Sequence, residues 1–120
     1  MMNIEIYYGG VFMEDTKSLP DCPVETTLKL IGNKWKVLII RDLLTGTKRF
    51  NELMKSVSGI SQKVLTSNLR TMENDGLIER KVYPQVPPKV EYTLTHTGYS
   101  LKPILDSMFS WGMEYKNNLR

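Results

Sequence analysis

Read for its apolar positions alone, the chain moves from a period of three to four to a period of two and back. Val24, Thr27, Leu28 and Ile31 recur at helical spacing after Asp21-Cys22-Pro23, where proline suits a first helical turn, and this inward face ends at Gly32. A second helix is predicted from about Lys34 to Leu44, with Trp35, Leu38, Ile39, Leu43 and Leu44 inside and Gly46 as its stop. It is the most apolar segment and should form the floor of the core. Phe50, Leu53, Met54 and Val57 define a short third helix, and Ser58-Gly59-Ile60 turns the chain into a fourth. There Leu65, Leu69 and Met72 make the buried stripe, Ser61 can cap the start, and Gly76 can take the left-handed conformation that ends the helix. Two short helices across a brief glycine-containing turn form a helix-turn-helix.

The period then shortens. Ile78, Arg80 and Val82 are expected opposite Val90, Tyr92 and Leu94 in a two-stranded ribbon. Between them Pro84-Gln85-Val86-Pro87-Pro88 lacks three backbone donors and must be a loop, so the ribbon is a wing. A last helix is predicted from Thr95-His96-Thr97-Gly98 to about Asn118, with Pro103 tolerable only near its first turn. Its Ile104, Leu105, Met108, Phe109, Trp111 and Tyr115 cover more than one face, more than one small core can absorb, which implies a second subunit. Residues 1–20 read as a strand-like or disordered arm whose Tyr7, Tyr8 and Phe12 are easiest to explain if a partner covers them. The expected organisation is this arm followed by a winged helix-turn-helix domain over 21–120, mainly α with a small β-ribbon and dimeric through terminal helices.

Length and charge narrow what such a domain does. A chain of 120 residues has room for one core and none for a separate catalytic domain. The net charge of +3 is unevenly placed: from Lys48 to Glu91 eight cations face five acids, so the whole excess lies around the fourth helix and the wing. That is a modest footprint for nucleic acid. The outer face of the fourth helix carries Gln62, Lys63, Thr66, Ser67 and Arg70, with no carboxylate until Glu73. A merely solvated face usually mixes Glu with Lys. A helix that must approach phosphates and hydrogen-bond base edges needs amides, hydroxyls and cations without acids.

Lys63, Thr66, Ser67 and Arg70 fall at i, i+3, i+4 and i+7, so they share one side. Arg70 or Lys63 can read guanine and Gln62 adenine, or any of them can clamp a phosphate. Ser61 is read as a cap that also offers helix-end amides to a phosphate. Arg80, Lys81 and Lys89 on the wing would contact backbone or minor groove; the alternative is a strand edge protected by charge. Arg49, just before the third helix, is a further phosphate candidate. Trp35, Phe50 and Trp111 are read as core and not as a ligand pocket.

Other classes fit poorly. A single cysteine, Cys22, excludes an internal disulfide framework and a cysteine-based zinc site, and a single histidine, His96, makes metal chemistry and a Ser-His-Asp constellation hard to build. No glycine-rich phosphate loop is present, so neither an enzyme nor a cofactor is expected. No run approaches the roughly 20 apolar residues of a membrane span. The expected location is the cytoplasm, of a prokaryote, with no membrane partner. The competing reading is a winged helix used for protein–protein interaction without DNA. An acid-rich or apolar recognition face would favour it, and this face is acid-free.

Several strings together resemble the HxlR-type family of winged helix-turn-helix transcriptional regulators: Cys22-Pro23-Val24, Ile31-Gly32-Asn33-Lys34-Trp35, Arg49-Phe50-Asn51-Glu52-Leu53, Ile60-Ser61-Gln62-Lys63-Val64-Leu65-Thr66, Asp75-Gly76-Leu77-Ile78, Val90-Glu91-Tyr92-Thr93-Leu94-Thr95 and Gly98. The resemblance covers about 21–120. It implies a homodimer whose terminal helices pack together, with two recognition helices in successive major grooves of double-stranded DNA at a roughly palindromic operator, repressing or sometimes activating nearby genes. The long arm and the choices at Thr66 and Ser67 depart from the family and bear on the target sequence. Cys22, at a helix start where the dipole favours thiolate, matches by position a cysteine that in similar proteins senses oxidants or electrophiles. The resemblance thus makes it a candidate redox sensor and such a small molecule a candidate effector. The other reading is a small semi-buried residue without chemistry. A bridge between two copies of Cys22 needs Cα atoms within about 7 Å.

Overall fold

The computed structural model describes residues 19–119 in full and the backbone of 6–8 and 11–13. In the arm, β1 (Ile6–Tyr8) and β2 (Val11–Met13) pair antiparallel, with Ile6 opposite Met13 and Tyr8 opposite Val11. The strand-like reading applies to those six residues; the aromatic side chains expected to meet a partner lie outside what is described.

Helix α1 (Pro23–Ile31) starts on its proline and ends at Gly32. Of its expected inward face only Ile31 is buried, while Val24 is 67% and Leu28 58% exposed. The stripe marks a face that needs apolar cover, and the described residues do not supply it. Helix α2 (Lys34–Leu43) is capped by Asn33, whose Oδ1 accepts from the Lys36 amide at 2.9 Å. Ile39 and Leu43 are fully buried as expected, and so is Ile40; Trp35, Leu38 and Leu44 pack half-buried around them. Lys36 sits on the same stripe and is buried too.

Lys48 and Arg49, between the second and third helices, form a short strand, β3 (Lys48–Arg49). It leads into α3 (Phe50–Ser56), where the Arg49 amide donates to Glu52 Oε1 at 2.8 Å. Helix α4 (Gln62–Asn74) begins with Ser61 Oγ accepting from the Val64 amide at 3.1 Å. It ends as its sequence dictates. Gly76 has φ +78°, its amide bonds Glu73 O at 3.0 Å, and the Leu77 amide reaches back to Met72 O at 2.9 Å. This double closure satisfies two terminal carbonyls and brings buried Leu77 onto buried Met72.

Strands β4 (Ile78–Tyr83) and β5 (Lys89–Leu94) pair in the expected register, with Ile78 opposite Leu94, Arg80 opposite Tyr92 and Val82 opposite Val90. The two-stranded ribbon is, however, a three-stranded antiparallel sheet in the order β3-β5-β4. Strand β5 uses its second edge to hold Lys48 and Arg49, opposite Tyr92 and Glu91. A central strand otherwise leaves a row of backbone groups unpaired.

The single terminal helix expected after Thr95 is two, α5 (His96–Tyr99) and α6 (Lys102–Asn118). Pro103 has no amide hydrogen to offer the Tyr99 carbonyl, so the helix must break and restart with proline in its first turn. Thr95 holds the junction: its Oγ1 accepts from the Gly98 amide at 3.1 Å and donates to Gly76 O at 2.6 Å. Gly98 packs directly on the Leu77 carbonyl, and a Cβ at Gly98 would collide with that oxygen and press on Leu94 Cδ2. Gly98→Ala is therefore expected to destabilise the domain by about 2 kcal/mol, as overpacking against an immovable backbone does; urea denaturation measures it.

One core joins these elements. Ile39, Ile40 and Leu43 from α2 meet Leu53 and Val57, Leu65, Leu69 and Met72 from α4, and Ile78, Tyr92 and Leu94 from the sheet. Phe50 and Trp35 pack against it half-buried, whereas Trp111, expected in the core, is 68% exposed and stacks on Tyr115 with ring centroids 5.2 Å apart. Helix α6 commits only Leu105 to the buried cluster.

Candidate nucleic-acid interface

Burial of Leu65, Leu69 and Met72 turns the other side of α4 outward. Gln62, Lys63, Ser67 and Arg70 are exposed and Thr66 is half-buried. All five, with Thr71, line one shallow concavity. Thr71 completes that face at i+4 from Ser67, a position the helical spacing alone would have shown; its hydroxyl donates to Ser67 O at 3.1 Å. Ser61 is exposed at the N-terminal end of the same helix, its oxygen accepting the capping bond while its O–H stays available to an incoming acceptor.

Sequence reasoning missed what fixes the rotation of this helix. Asn68, buried among apolar neighbours, donates from Nδ2 to Val64 O at 2.8 Å and accepts from Asn33 Nδ2 at 3.2 Å. The residue that caps α2 thereby also holds α4. An asparagine between Ser67 and Leu69 reads as one more polar surface residue, and nothing local distinguishes it.

The three wing cations do not form one cluster. Pleating places Lys81 and Lys89 on one face of the sheet together with Arg49, and Arg80 on the other. Arg49 and Lys89 line a concavity with Asn51, Gln85, Pro87 and Pro88, which brings the start of α3 beside the wing loop. Arg80 and Lys81 border a second concavity that also holds Glu73, Asp75 and Glu79, a less positive setting.

Lys89 is engaged within the protein. Its Nζ stands 3.4 Å from Glu91 Oε2 and 4.6 Å from the centre of the Tyr83 ring, and Lys81 Nζ lies 5.0 Å from that ring. The Tyr83 hydroxyl donates to Glu91 Oε1 at 2.9 Å. That hydrogen bond first, then Lys89 and Arg49, holds the Glu91 carboxyl below the usual carboxylate range against the opposing effect of partial burial. A depressed value in the folded state means that the network contributes in full above the ordinary carboxylate pKa. The contribution is lost as pH falls through the folded value.

Cys22 occupies the N-cap position of α1 and is exposed, not semi-buried. Its carbonyl accepts from the Thr26 amide at 3.0 Å and the Thr26 hydroxyl at 3.3 Å. Among the described residues no group of three or more His, Cys, Asp and Glu is placed to hold a metal ion, and no helix is long and apolar enough to cross a membrane.

Comparison with known proteins places this geometry. The family model described as HxlR-like helix-turn-helix matches residues 30–120. The HTH-type transcriptional regulator YdeP of Bacillus subtilis (strain 168) is 52% identical over 98 residues, 82% of this chain and 77% of that protein. Among solved structures, the redox regulator HypR in its oxidised form superposes with a TM-score of 0.74 at 49% identity, over 78% of this chain and 96% of that one. The reduced form of the transcriptional regulator YodB from B. subtilis gives 0.67 at 40% identity, over 77% and 91%.

Proposed function

We infer the function of this chain from its kinship: it belongs to the HxlR-like helix-turn-helix family and is a DNA-binding transcriptional regulator with a winged helix-turn-helix fold. The observation that carries the mechanism is the acid-free face of α4, gathered on one concave surface. In our reading α4 enters the major groove, Lys63, Arg70 and Gln62 divide base and phosphate contacts with Thr66 and Ser67, and Ser61 meets a phosphate at the helix start. Arg49, Arg80, Lys81 and Lys89 add backbone contacts from the wing side. No catalytic role is assigned, and the protein works in the cytoplasm.

The regulator acts as a homodimer. Val24 and Leu28 on α1, and Ile104, Met108, Phe109, Trp111 and Tyr115 on α6, are apolar and exposed in one copy, which supports packing of terminal helices against a second. Two recognition helices then address half-sites about one helical turn apart in a roughly palindromic operator, and occupancy represses the adjacent gene. Two neighbours support a thiol response. HypR is described as a redox regulator, and YodB has been solved after diamide treatment. Exposed Cys22 at the start of α1 is the residue through which an oxidant or electrophile would act here, shifting the dimer out of its DNA-binding arrangement.

Binding to a labelled fragment of the gene's own upstream region, with and without mild oxidant, tests both parts. Wild type should bind at nanomolar concentration with steep salt dependence. Oxidant should release wild type and leave Cys22→Ser bound. Equal release of both would remove Cys22 from the mechanism, and absence of specific binding would favour a module that binds only protein.

A further inference from the structure

The outer face of the sheet carries a carboxylate where a phosphate binder would be expected to keep none. Glu91 lies on the central strand, directly opposite Arg49 on β3 and Lys81 on β4, two residues along from Lys89. Its two oxygens are both engaged, one by the Tyr83 hydroxyl at 2.9 Å and the other by Lys89 Nζ at 3.4 Å. Tyr83 in turn has the Lys81 and Lys89 ammonium groups near its ring. One cation, Lys89, and one phenol thus hold the two acceptor oxygens of a single carboxylate, with Arg49 across the strand pair, a donor set that would otherwise meet a phosphate. Lys89 and Glu91 each retain about a quarter of their side-chain exposure, so a second anion can reach them.

We propose that Glu91 is an internal competitor for the DNA backbone: it occupies Lys89 in the free protein and sets how tightly the wing holds duplex of any sequence. The inference rests on the DNA-binding reading above and adds to it a residue that sets backbone affinity. A phosphate that takes Lys89 must first displace the carboxylate. Wing contacts are thereby weakened on every sequence alike, so Glu91 lowers the affinity for any duplex by one factor and leaves the ratio of specific to non-specific binding to the base contacts of α4.

Glu91→Gln tests this, because the amide keeps an oxygen for the Tyr83 hydroxyl and removes only the charge. On a random-sequence duplex the variant is expected to bind about tenfold more tightly than wild type at low salt. The slope of log affinity against log salt should steepen by about 1.8, the value of one additional phosphate contact from each of two subunits. The upstream fragment should gain by the same factor as the random duplex, so the specificity ratio stays unchanged. In Glu91→Gln/Lys89→Gln the gain should disappear. Tyr83→Phe, which frees the carboxylate from its hydroxyl donor without changing charge, should move random-duplex affinity in the same direction by less, and stands as the second variant if Glu91→Gln unfolds. Unchanged or weaker non-specific binding with an unchanged slope in both variants would overturn the proposal and leave Glu91 as a strut of the wing. Wild type that binds neither duplex would instead remove the DNA-binding reading itself.

Discussion

Lys63→Ala/Arg70→Ala is expected to lose about a hundredfold or more in affinity for the upstream fragment while remaining as stable as wild type. Both side chains are exposed on the outer side of α4, and neither has an ion pair or side-chain hydrogen bond among those described. Their removal should shift the stability measured by denaturation by less than about 0.5 kcal/mol. On DNA each is worth roughly 1 to 3 kcal/mol if it makes a good contact. The salt series then separates the roles. If both side chains clamp phosphates, the slope of log affinity against log salt falls by about 3.6, two contacts in each of two subunits. If one reads a guanine through bidentate hydrogen bonds, discrimination at one operator position relaxes as well. Fluorescence anisotropy on the fragment and on single-base variants of it records both. Affinity within twofold of wild type would mean that α4 is not the element that meets DNA, and its acid-free face would need another partner.

Much of the fold was legible because burial writes a period into the sequence. Helices α1 to α4, the cap at Ser61, the stop at Gly76 and the register of β4 against β5 all follow from apolar spacing and local backbone chemistry. What was not legible lacks a period or depends on distant groups. Lys48 and Arg49 are two residues, too few to show alternation, and their pairing is decided by the open edge of β5 over forty residues later. The break between α5 and α6 was half visible: Pro103 demanded a first-turn position, but the continuous apolar run on either side hid the restart. On α1 the stripe was read correctly and assigned to the wrong cover, since spacing shows that Val24 and Leu28 want burial without showing which molecule buries them.

The site divides in the same way. The α4 face could be listed from spacing because one helix positions all of it. The wing could not be treated as a list, because alternate residues of a strand point to opposite sides, and Arg80 parts from Lys81 and Lys89 on that ground alone. The bond between Asn33 and Asn68, 35 residues apart, depends on a tertiary contact for which the sequence holds no local sign.

Phe109→Glu/Trp111→Glu is expected to give a folded monomer whose operator affinity falls by two orders of magnitude or more. The two side chains are 71% and 68% exposed in one copy, and α6 gives the core only Leu105, so the substitutions should leave the domain's own melting transition nearly in place. In a dimer built on terminal helices the same rings are buried, each worth roughly 2 to 3 kcal/mol. A carboxylate put there without a partner opposes association further. Loss of the dimer turns one two-point attachment into two independent half-site encounters, which removes the hundredfold to ten-thousandfold advantage that linkage confers. The salt slope should fall towards half at the same time, because each surviving complex displaces ions from one half-site only. Sedimentation equilibrium gives the mass and anisotropy gives the affinity and slope. A variant that stays dimeric yet loses DNA would place the contact between subunits elsewhere and move Phe109 and Trp111 into a different role. A wild-type protein that sediments as a monomer at micromolar concentration would rule out the dimer, and the exposed faces of α1 and α6 would then await a different chain.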